Sequence, residues 1–268
     1  MSAIQVYSET GILEGVLLHP PGPEVDNMTP KNAERALYSD ILNLSVARRE
    51  YNQLECLLQH LVPTFRIMDL LKDILRSSEI REKIVKKACY QEGQPLLIDR
   101  LLDLNEKVLA KQLVQGVPLE RNSLTAYLSN EHFSLRPLHN LFFSRDASVA
   151  LGDRVLISRM ANRVRDREAL IMQAIFDYHP RFRVQTVHHD EGTTSRDSFS
   201  FEGGDLLVAS ENITLTGLGT RTTSRGIDFL VKMLAERKEK QHLLIQELPS
   251  SPESFIHLDM TFTLLDHD

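Results

Sequence analysis

The chain has 268 residues, of which 42% are hydrophobic and 25% are charged, and its formal net charge is -6 at pH 7. This composition is typical of a folded globular protein and argues against long disordered tracts. The acidic excess argues against a nucleic-acid partner, because neutralising phosphates requires clustered Lys and Arg. The sequence has no apolar run long enough for a membrane span and no signal-peptide layout, so we expect a cytoplasmic protein without membrane partners.

The two cysteines, Cys56 and Cys89, lie in separate stretches with helical spacing. Two isolated thiols give neither a disulfide framework nor a paired-thiolate metal site. We therefore interpret both as buried structural thiols and not as nucleophiles.

The first half of the chain is predicted to be mainly helical. Residues 11–19, GILEGVLLH, have the pattern of a short strand that the turn-forming PPGP closes. Thr29 followed by Pro30 is a typical helix start, and helical spacing then continues without strand signals. We predict an all-helical insertion within a catalytic domain. The predicted ranges are 67–129 for the insertion and 1–66 plus 130–268 for the catalytic domain.

After residue 136 one pattern occurs twice. NLFFSRDASVALGDRVLISRM predicts two strands joined by a tight turn at Gly152-Asp153, and a helix and a further strand, RFRVQTVHH, follow. FSFEGGDLLVASENITLTG predicts a second hairpin that turns near Glu211-Asn212, again followed by a helix and a strand, HLLIQEL. The sequence therefore predicts an α+β fold made of repeated ββαβ units.

A third copy of the unit is predicted to begin at FIHLDMTF. Asp146, Asp205 and Asp259 align at the start of the first strand of each copy, and the turn and second strand of the third copy are missing. We therefore expect the 268 residues to be a fragment of a longer protein. If they were a complete protein, the strand edge exposed after Phe262 would favour low stability or self-association into a homo-oligomer.

Each copy contributes polar residues close to a strand start. If the copies surround an axis, these residues converge in a pocket that favours a cation, and paired carboxylates suit a guanidinium because its planar N–H donors match two acceptors. The residues are Asn140, Asp146, Glu202, Asp205, His257 and Asp259.

The individual residues also allow other interpretations. Asp205 follows two glycines and is as consistent with a turn as with a site. His257 and Asp259, two apart on a predicted strand, would share one face, which favours a functional role. A metal site is a rival interpretation of such a His and carboxylate set. By contrast, HHDE at residues 188–191 has the composition of a solvated loop.

Six segments together resemble a known family. They are SETGILEGVLLHPPG, MTPKN, PLHNLFFSRD, FEGGD, GLGTRTTSRGI and FIHLDMTF, in order from residue 8 to residue 262. This ordered series resembles bacterial arginine deiminase, of the guanidine-modifying (pentein) superfamily. The resemblance implies a pentein-type α/β propeller of ββαβ units, incomplete here, with an inserted helical subdomain.

The resemblance also implies roles for the polar residues. Asp146 and Asp259 would grip the guanidinium of free L-arginine, the small-molecule partner. Glu202 would bind the guanidinium and take part in proton transfer, and His257 would be the general acid and base. Asp205 of FEGGD belongs to the same implied substrate-binding set. The family implies neither a cofactor nor a metal.

Further residues are implied to hold the rest of the substrate. Asn140, Arg165 and Arg221 match positions that hold its amino acid end, and a cationic partner for an α-carboxylate is chemically reasonable. Leu37 and Phe143 would lie near its aliphatic part. Considered alone, Arg165 is more typical of a surface helix charge and Arg221 of a turn charge.

The implied reaction hydrolyses arginine to citrulline and ammonia through a covalent cysteine thiouronium intermediate. The family's nucleophilic Cys lies in a Gly-rich loop near its C-terminus, and neither Cys56 nor Cys89 matches it. We therefore expect the nucleophile beyond residue 268 and an inactive chain without it. The alternatives are a catalytically inactive arginine-binding protein, and an amidinotransferase or dimethylarginine hydrolase, which the helical insertion and RTTSRG disfavour.

Overall fold

The structure is a computed structural model that describes residues 2–27, 41–189 and 199–266. The predicted helix start at Thr29-Pro30 and the predicted substrate residue Leu37 lie outside these ranges, as does part of HHDE. The chain divides into two compact units, here called the sheet unit and the helical unit. The sheet unit comprises Met1–Ile12, Arg145–Arg163 and Pro180–Asp268, and the helical unit comprises Leu13–Ser144 and Val164–His179.

The strands of the described residues are mostly short. They are β1 (Ser2–Ala3), β2 (Val16–Leu18), β3 (Thr64–Arg66), β4 (Val117–Pro118), β5 (Phe133–Leu135), β6 (Ser148–Leu151), β7 (Arg154–Ile157), β8 (Phe182–Arg183), β9 (Gln185–Val187), β10 (Leu206–Ser210), β11 (Ile213–Leu218) and β12 (His242–Glu247).

The α-helices are distributed over both units. They are α1 (Pro23–Asp26), α2 (Leu44–Leu61), α3 (Ile67–Ile74), α4 (Ser78–Gln91), α5 (Ile98–Leu102), α6 (Glu106–Gln115), α7 (Leu124–Leu128), α8 (Ser144–Ala147), α9 (Asp166–Tyr178) and α10 (Ser224–Ala235). None of the helices in the described ranges is long and apolar enough to cross a membrane.

The sheet unit confirms the predicted repeat. Strands β6 and β7 pair antiparallel and β9 pairs parallel to β7, while β10, β11 and β12 repeat the same antiparallel-then-parallel order. In chain order, α9 lies between β7 and β9, and α10 lies between β11 and β12. Two parallel strands need such a crossover connection between them. Gly152 turns the first hairpin with a φ of 61°, which glycine adopts without strain.

One hydrophobic core joins the two three-stranded sheets. On α10 the buried residues recur at helical spacing and meet alternate residues of β6, β7 and β10. Burying each such aliphatic side chain contributes about 1.5–3 kcal/mol. The core consists of Val149, Leu151, Leu156, Phe201, Leu206, Val208, Leu230, Met233 and Leu234.

A second, smaller core anchors the C-terminal segment. Leu207 points away from its neighbours Leu206 and Val208, as successive strand residues do, and packs with Leu248 and Leu258. Leu258 lies between His257 and Asp259 in the chain. The small core therefore positions these two predicted site residues.

The predicted third strand at FIHLDMTF is wrong. Within the described residues, Glu253–Phe255 and Leu258–Met260 form 3-10 turns, and residues 261–266 pair with no strand. A strand requires a hydrogen-bonded partner, and alternating polarity does not supply one. His257 and Asp259 therefore do not share a strand face, and the described segment offers no strand edge after Phe262.

The alignment of the three aspartates nevertheless has a structural counterpart. Asp146 lies in the helical turn α8, directly before β6. Asp205 ends the 3-10 turn Gly203–Asp205, directly before β10. Asp259 lies in the 3-10 turn Leu258–Met260. Each aligned aspartate thus occupies a short helical turn.

The helical unit extends beyond the predicted insertion. Residues 13–66 belong to the same compact unit as residues 67–129, and α9 packs against α3 and α4 within it. The stretch 67–129 is mainly helical but includes the short strand β4, which pairs with β5. The assignment of 67–129 as an inserted domain stays a prediction.

Candidate active site

His257 of the sheet unit lies between two carboxylates. Its Nε2 is 2.9 Å from Oε2 of Glu202, and its Nδ1 is 3.8 Å from Oδ1 of Asp146. His257 is 3% exposed and Glu202 0%. Both ring nitrogens therefore face acceptors, an arrangement that stabilises the doubly protonated imidazolium.

Two glycines of FEGGD allow this close approach. A Cβ on Gly204 would lie 2.8 Å from Oδ1 of Asp146 and 2.8 Å from Cγ of His257. At Gly203 a Cβ would clash with the carbonyl oxygen of Arg145. A side chain at Gly204 would therefore separate Asp146 from the imidazole, and one at Gly203 would displace the backbone at Arg145.

Glu202 is held by several groups besides His257. Its Oε1 accepts a hydrogen bond from the N–H of Ala161 at 2.9 Å, and its own N–H donates to Oγ1 of Thr222 at 3.2 Å. Nη1 of Arg221 lies 3.9 Å from Oε1. A fully buried carboxylate needs such partners to remain ionised.

Asp205 binds the backbone between the two predicted site residues of the C-terminal segment. Its Oδ1 accepts a hydrogen bond from the N–H of Leu258 at 3.0 Å, and the residue is fully buried. Burial raises the pKa of Asp205 to about 6. The described contact supports the turn interpretation of Asp205, and its predicted substrate role stays a prediction.

The carboxylates also control the protonation of His257. Burial alone would lower the pKa of its imidazole, but the hydrogen bond to Glu202 and the charges of Asp146, Glu202 and Asp205 raise the pKa above its ordinary value. Burial, followed by the charge of Asp146, raises the pKa of Asp259. The cluster therefore favours the protonated imidazole of His257, the form that can act as a general acid.

Asp146, Glu202 and His257 also meet the spacing of a metal site. One ligand atom from each lies within 4.8 Å of the others. Metal binding requires a lone pair on the imidazole, however, and here the raised pKa of His257 favours the protonated ring. The cluster is therefore compatible with a proton-transfer role, and the expected absence of a metal stays a prediction.

The helical unit contains three of the other predicted substrate residues. Nη2 of Arg165 donates to the backbone oxygen of Asn140 at 3.4 Å and to Glu168 at 2.8 Å. Arg165 is only 3% exposed, so it is not the surface charge that its sequence context favoured. Phe143 is 46% exposed and its ring centroid lies 4.2 Å from that of Phe142.

Sequence reasoning missed one pair of residues beside the cluster. Glu9 and Arg145 form an ion pair at 2.7 Å, and Nε of Arg145 lies 3.9 Å from Oδ2 of Asp259. Both residues lie in segments that carried the family resemblance, SETG and FFSRD. Their opposite charges are visible in the sequence, but charges 136 positions apart do not by themselves specify a pair.

Two solved structures of other proteins superpose on part of this chain. An amidinotransferase from Microseira wollei superposes with a TM-score of 0.49 at 13% identity, over 91% of this chain and 60% of that one. A dimethylarginine dimethylaminohydrolase from Pseudomonas aeruginosa, complexed with citrulline, gives a TM-score of 0.47 at 11% identity, over 90% of this chain and 64% of that one. The chain thus spans less than two thirds of either protein.

Sequence comparison assigns the family. A family model described as arginine deiminase matches residues 34–268. The chain is 33% identical to the arginine deiminase of Bacillus cereus and 30% identical to that of Listeria monocytogenes, over 99% of its own length and over 68% and 67% of theirs. The matches, together with the two ββαβ units, agree with the predicted pentein-type α+β fold and show that the chain belongs to the arginine deiminase family.

Proposed function

We propose that this polypeptide acts on free L-arginine and hydrolyses its guanidinium to give L-citrulline and ammonia. The observation that carries the proposal is the buried imidazole of His257 between Glu202 and Asp146, in a chain of the arginine deiminase family. Breaking a C–N bond of a guanidinium requires a carboxylate site for the cation and a proton donor for the leaving nitrogen. The sheet unit contains carboxylates that can bind the cation and the imidazole of His257, which can donate the proton.

Cation binding is the role of the carboxylates. Asp146 and Asp259 bind the N–H donors of the guanidinium, whose planar geometry matches two acceptor groups. The pKa of Asp259 is raised by burial and by Asp146. A cation placed between these carboxylates relieves that repulsion, so binding favours their ionised forms.

His257 and Glu202 transfer the proton. The imidazolium of His257 gives a proton to the departing ammonia, and the neutral ring then accepts a proton from the attacking water. Glu202 binds the Nε2 proton of His257 and orients the ring, in addition to contacting the guanidinium. The raised pKa of His257 favours the protonated form, which is the proton donor.

The attacking thiolate is not provided by either cysteine of the chain. Cys89 is buried and its pKa is raised by burial, which disfavours the thiolate, while Cys56 is exposed on α2. Both cysteines lie outside the Gly-rich loop in which the family resemblance places the nucleophile. We propose that the nucleophile comes from a Gly-rich loop outside these 268 residues.

The remaining substrate contacts are also proposals. Asn140, Arg165 and Arg221 hold the amino acid end of arginine, and Leu37 and Phe143 lie along its aliphatic part. Arg165 is already paired with Glu168, so an α-carboxylate would have to share or replace that contact. A cytoplasmic location and self-association stay predictions as well.

The absence of a cysteine from the sheet unit favours one alternative, an arginine-binding protein without turnover. Calorimetry of L-arginine with the 268-residue chain, together with a citrulline assay on the natural gene product, distinguishes the two. We expect binding to the chain, a loss of binding in Asp146→Asn, and citrulline production by the gene product. The exposed Asp153→Asn is the matched control. Binding without citrulline would favour the alternative, and a lack of binding would exclude both.

A further inference from the structure

Glu9 and Arg145 form an ion pair with two hydrogen bonds beside the carboxylates. Nη2 and Nη1 of Arg145 donate to the two carboxylate oxygens of Glu9 at 2.7 and 3.2 Å. In this arrangement a planar guanidinium makes two parallel charge-assisted bonds. The side chains are 35% and 20% exposed, so the pair is partly shielded from water.

The same side chains also bind the backbone around the turn of FEGGD. Arg145 donates to the carbonyl oxygen of Gly203 at 3.4 Å and to that of Leu206, so its guanidinium spans the 3-10 turn. Glu9 accepts from the N–H of Val208 at 3.0 Å, and its own N–H donates to the Val208 carbonyl at 2.8 Å. The pair therefore connects the N-terminal segment with the start of β10.

Arg145 faces Asp259 only at the limit of an ion-pair distance. Its Nε lies 3.9 Å from Oδ2 of Asp259. A guanidinium that is free to move would approach a carboxylate to about 2.8 Å, where a charge-assisted bond is strongest. Because Glu9 engages both Nη groups, Arg145 is held at the longer distance.

We propose that Glu9 and Arg145 are a positioning pair, in which Glu9 retains the Arg145 guanidinium so that Asp259 stays available to an external guanidinium. The pair also aligns the turn that carries Asp146 with the turn that carries Asp205. The inference rests on the proposed function, because the external guanidinium is that of arginine. Neither Glu9 nor Arg145 acts on the substrate itself.

The charges around Asp259 give the two residues opposite effects. Burial and Asp146 raise the pKa of Asp259, His257 and Arg145 lower it, and Glu9 raises it. Glu9→Gln removes a negative charge and frees Arg145 to approach Asp259, which lowers the pKa of Asp259. Arg145→Met removes the positive charge and raises it. Charge alone predicts these two directions, so the readout specific to positioning is the arginine affinity of Glu9→Gln compared with that of Glu9→Asp.

The experiment compares both variants with a control ion pair from the same unit. Arg154 and Glu236 form a bond of 2.8 Å, so Glu236→Gln is the matched variant. Carboxyl carbon NMR of the 268-residue chain measures the pKa of Asp259, and calorimetry measures the affinity for L-arginine. We expect opposite pKa shifts in Glu9→Gln and Arg145→Met and none in Glu236→Gln. In Glu9→Gln arginine should bind about tenfold more weakly, because Arg145 competes for Asp259.

Glu9→Asp retains the charge and should restore the arginine affinity. An unchanged pKa of Asp259, or a shift in the same direction in both variants, would overturn the positioning role. If the wild-type chain does not bind arginine, the proposed function fails, whereas a loss of arginine affinity in Glu9→Gln that Glu9→Asp does not restore overturns the positioning role alone. Where Arg145→Met does not fold, Glu9→Gln against Glu9→Asp carries the test, since only the former releases Arg145.

Discussion

The two units both bury charged side chains, but the balance of charge differs between them. In the helical unit, Glu92 accepts from Arg167 at 3.3 Å and from Arg136 at 2.8 Å, and Glu168 pairs with Arg165 at 2.8 Å. Burial lowers the pKa of Arg167 to about 10, which still leaves it protonated at neutral pH. Each of these carboxylates thus has an arginine within the unit.

Carboxylates are in excess in the cluster of the sheet unit. The pKa values of His257, Asp205 and Asp259 are all raised, so the cluster binds protons more tightly than isolated groups would. Arg145 is engaged by Glu9, and Arg221 is 3.9 Å from Glu202. The comparison shows how a structural cluster differs from a site. Internally paired charges stabilise a fold, whereas a cluster in which carboxylates outnumber the nearby cations is suited to binding a further cation.

The largest expected effect is a loss of arginine turnover when a carboxylate is removed from the cluster around His257 in the sheet unit. In the natural gene product, Asp259→Ala should lower arginine turnover by a factor of about a thousand or more, because the guanidinium loses a charged partner that also orients it. Citrulline formation measures the effect, and Asp153→Ala in the exposed hairpin turn is the control. Near-normal turnover of Asp259→Ala would contradict the assigned role.

Breaking the ion pairs of Glu92 with Arg136 and Arg167 in the helical unit should lower the stability of the chain. Glu92→Gln leaves the buried Arg167 without its anionic partner and should lower the free energy of unfolding by about 3–5 kcal/mol. Urea denaturation measures the change. The exposed ion pair of Arg100 and Glu120 provides the control, because Glu120→Gln should cost about 1 kcal/mol or less. Equal effects of the two variants would show that burial of the Arg167 pair has no energetic importance.

Crowding at Gly204 should have a smaller effect that is specific to the site. A Cβ there meets Asp146 and His257, so Gly204→Ala should cost about 1–3 kcal/mol of stability and displace the imidazole. At Gly219 the nearest heavy atom to an added Cβ lies 3.4 Å away, so Gly219→Ala is the control. Denaturation combined with arginine calorimetry measures both effects. Unchanged arginine affinity in Gly204→Ala would argue against tight packing of the cluster.

The smallest expected effect is a dependence of stability on pH. Raised pKa values for Asp205 and His257 mean that the folded chain binds more protons than the unfolded chain, so stability falls as pH rises. For Asp205, stability is lost as the pH rises from the ordinary carboxyl pKa to about 6. For His257, the loss of stability begins as the pH rises past the ordinary imidazole pKa. Urea denaturation at pH 5 and pH 8 should show the difference.

Variants identify which group causes this pH dependence. Asp205→Asn retains an acceptor for the N–H of Leu258 but no longer titrates, so it should reduce the loss of stability below pH 6. His257→Gln should reduce the loss above pH 6. A wild-type chain that becomes more stable on going from pH 5 to pH 8 would contradict the direction of both pKa shifts.

Local sequence signals were sufficient for the repeat and for most of the cluster. The turn at Gly152 and alternating strands predicted the ββαβ units, which the structure confirms. The alignment predicted a strand start at Asp146, Asp205 and Asp259. Strands β6 and β10 do follow Asp146 and Asp205, whereas no strand follows Asp259 in the described residues. These features depend on neighbouring residues, so a sequence pattern can reveal them.

Features that depend on distant partners could not be predicted in the same way. The segment at His257 has the polarity of a strand, but Leu258 packs into a small core and its N–H binds Asp205. Arg165 has the context of a surface charge, and its burial depends on how the helical unit packs. Glu9 and Arg145 are 136 positions apart, a separation over which charge patterns alone do not specify a pair.

The most direct test of the account is an NMR titration of the His257 imidazole in the 268-residue chain. The carboxylate cluster should give His257 a pKa above its ordinary value of 6.5, and His257→Gln identifies the resonance. The signal should also respond to L-arginine, whose guanidinium competes electrostatically with the imidazolium for the same carboxylates. A pKa at or below 6.5 would contradict the claim that an excess of carboxylates holds a proton on His257 for catalysis.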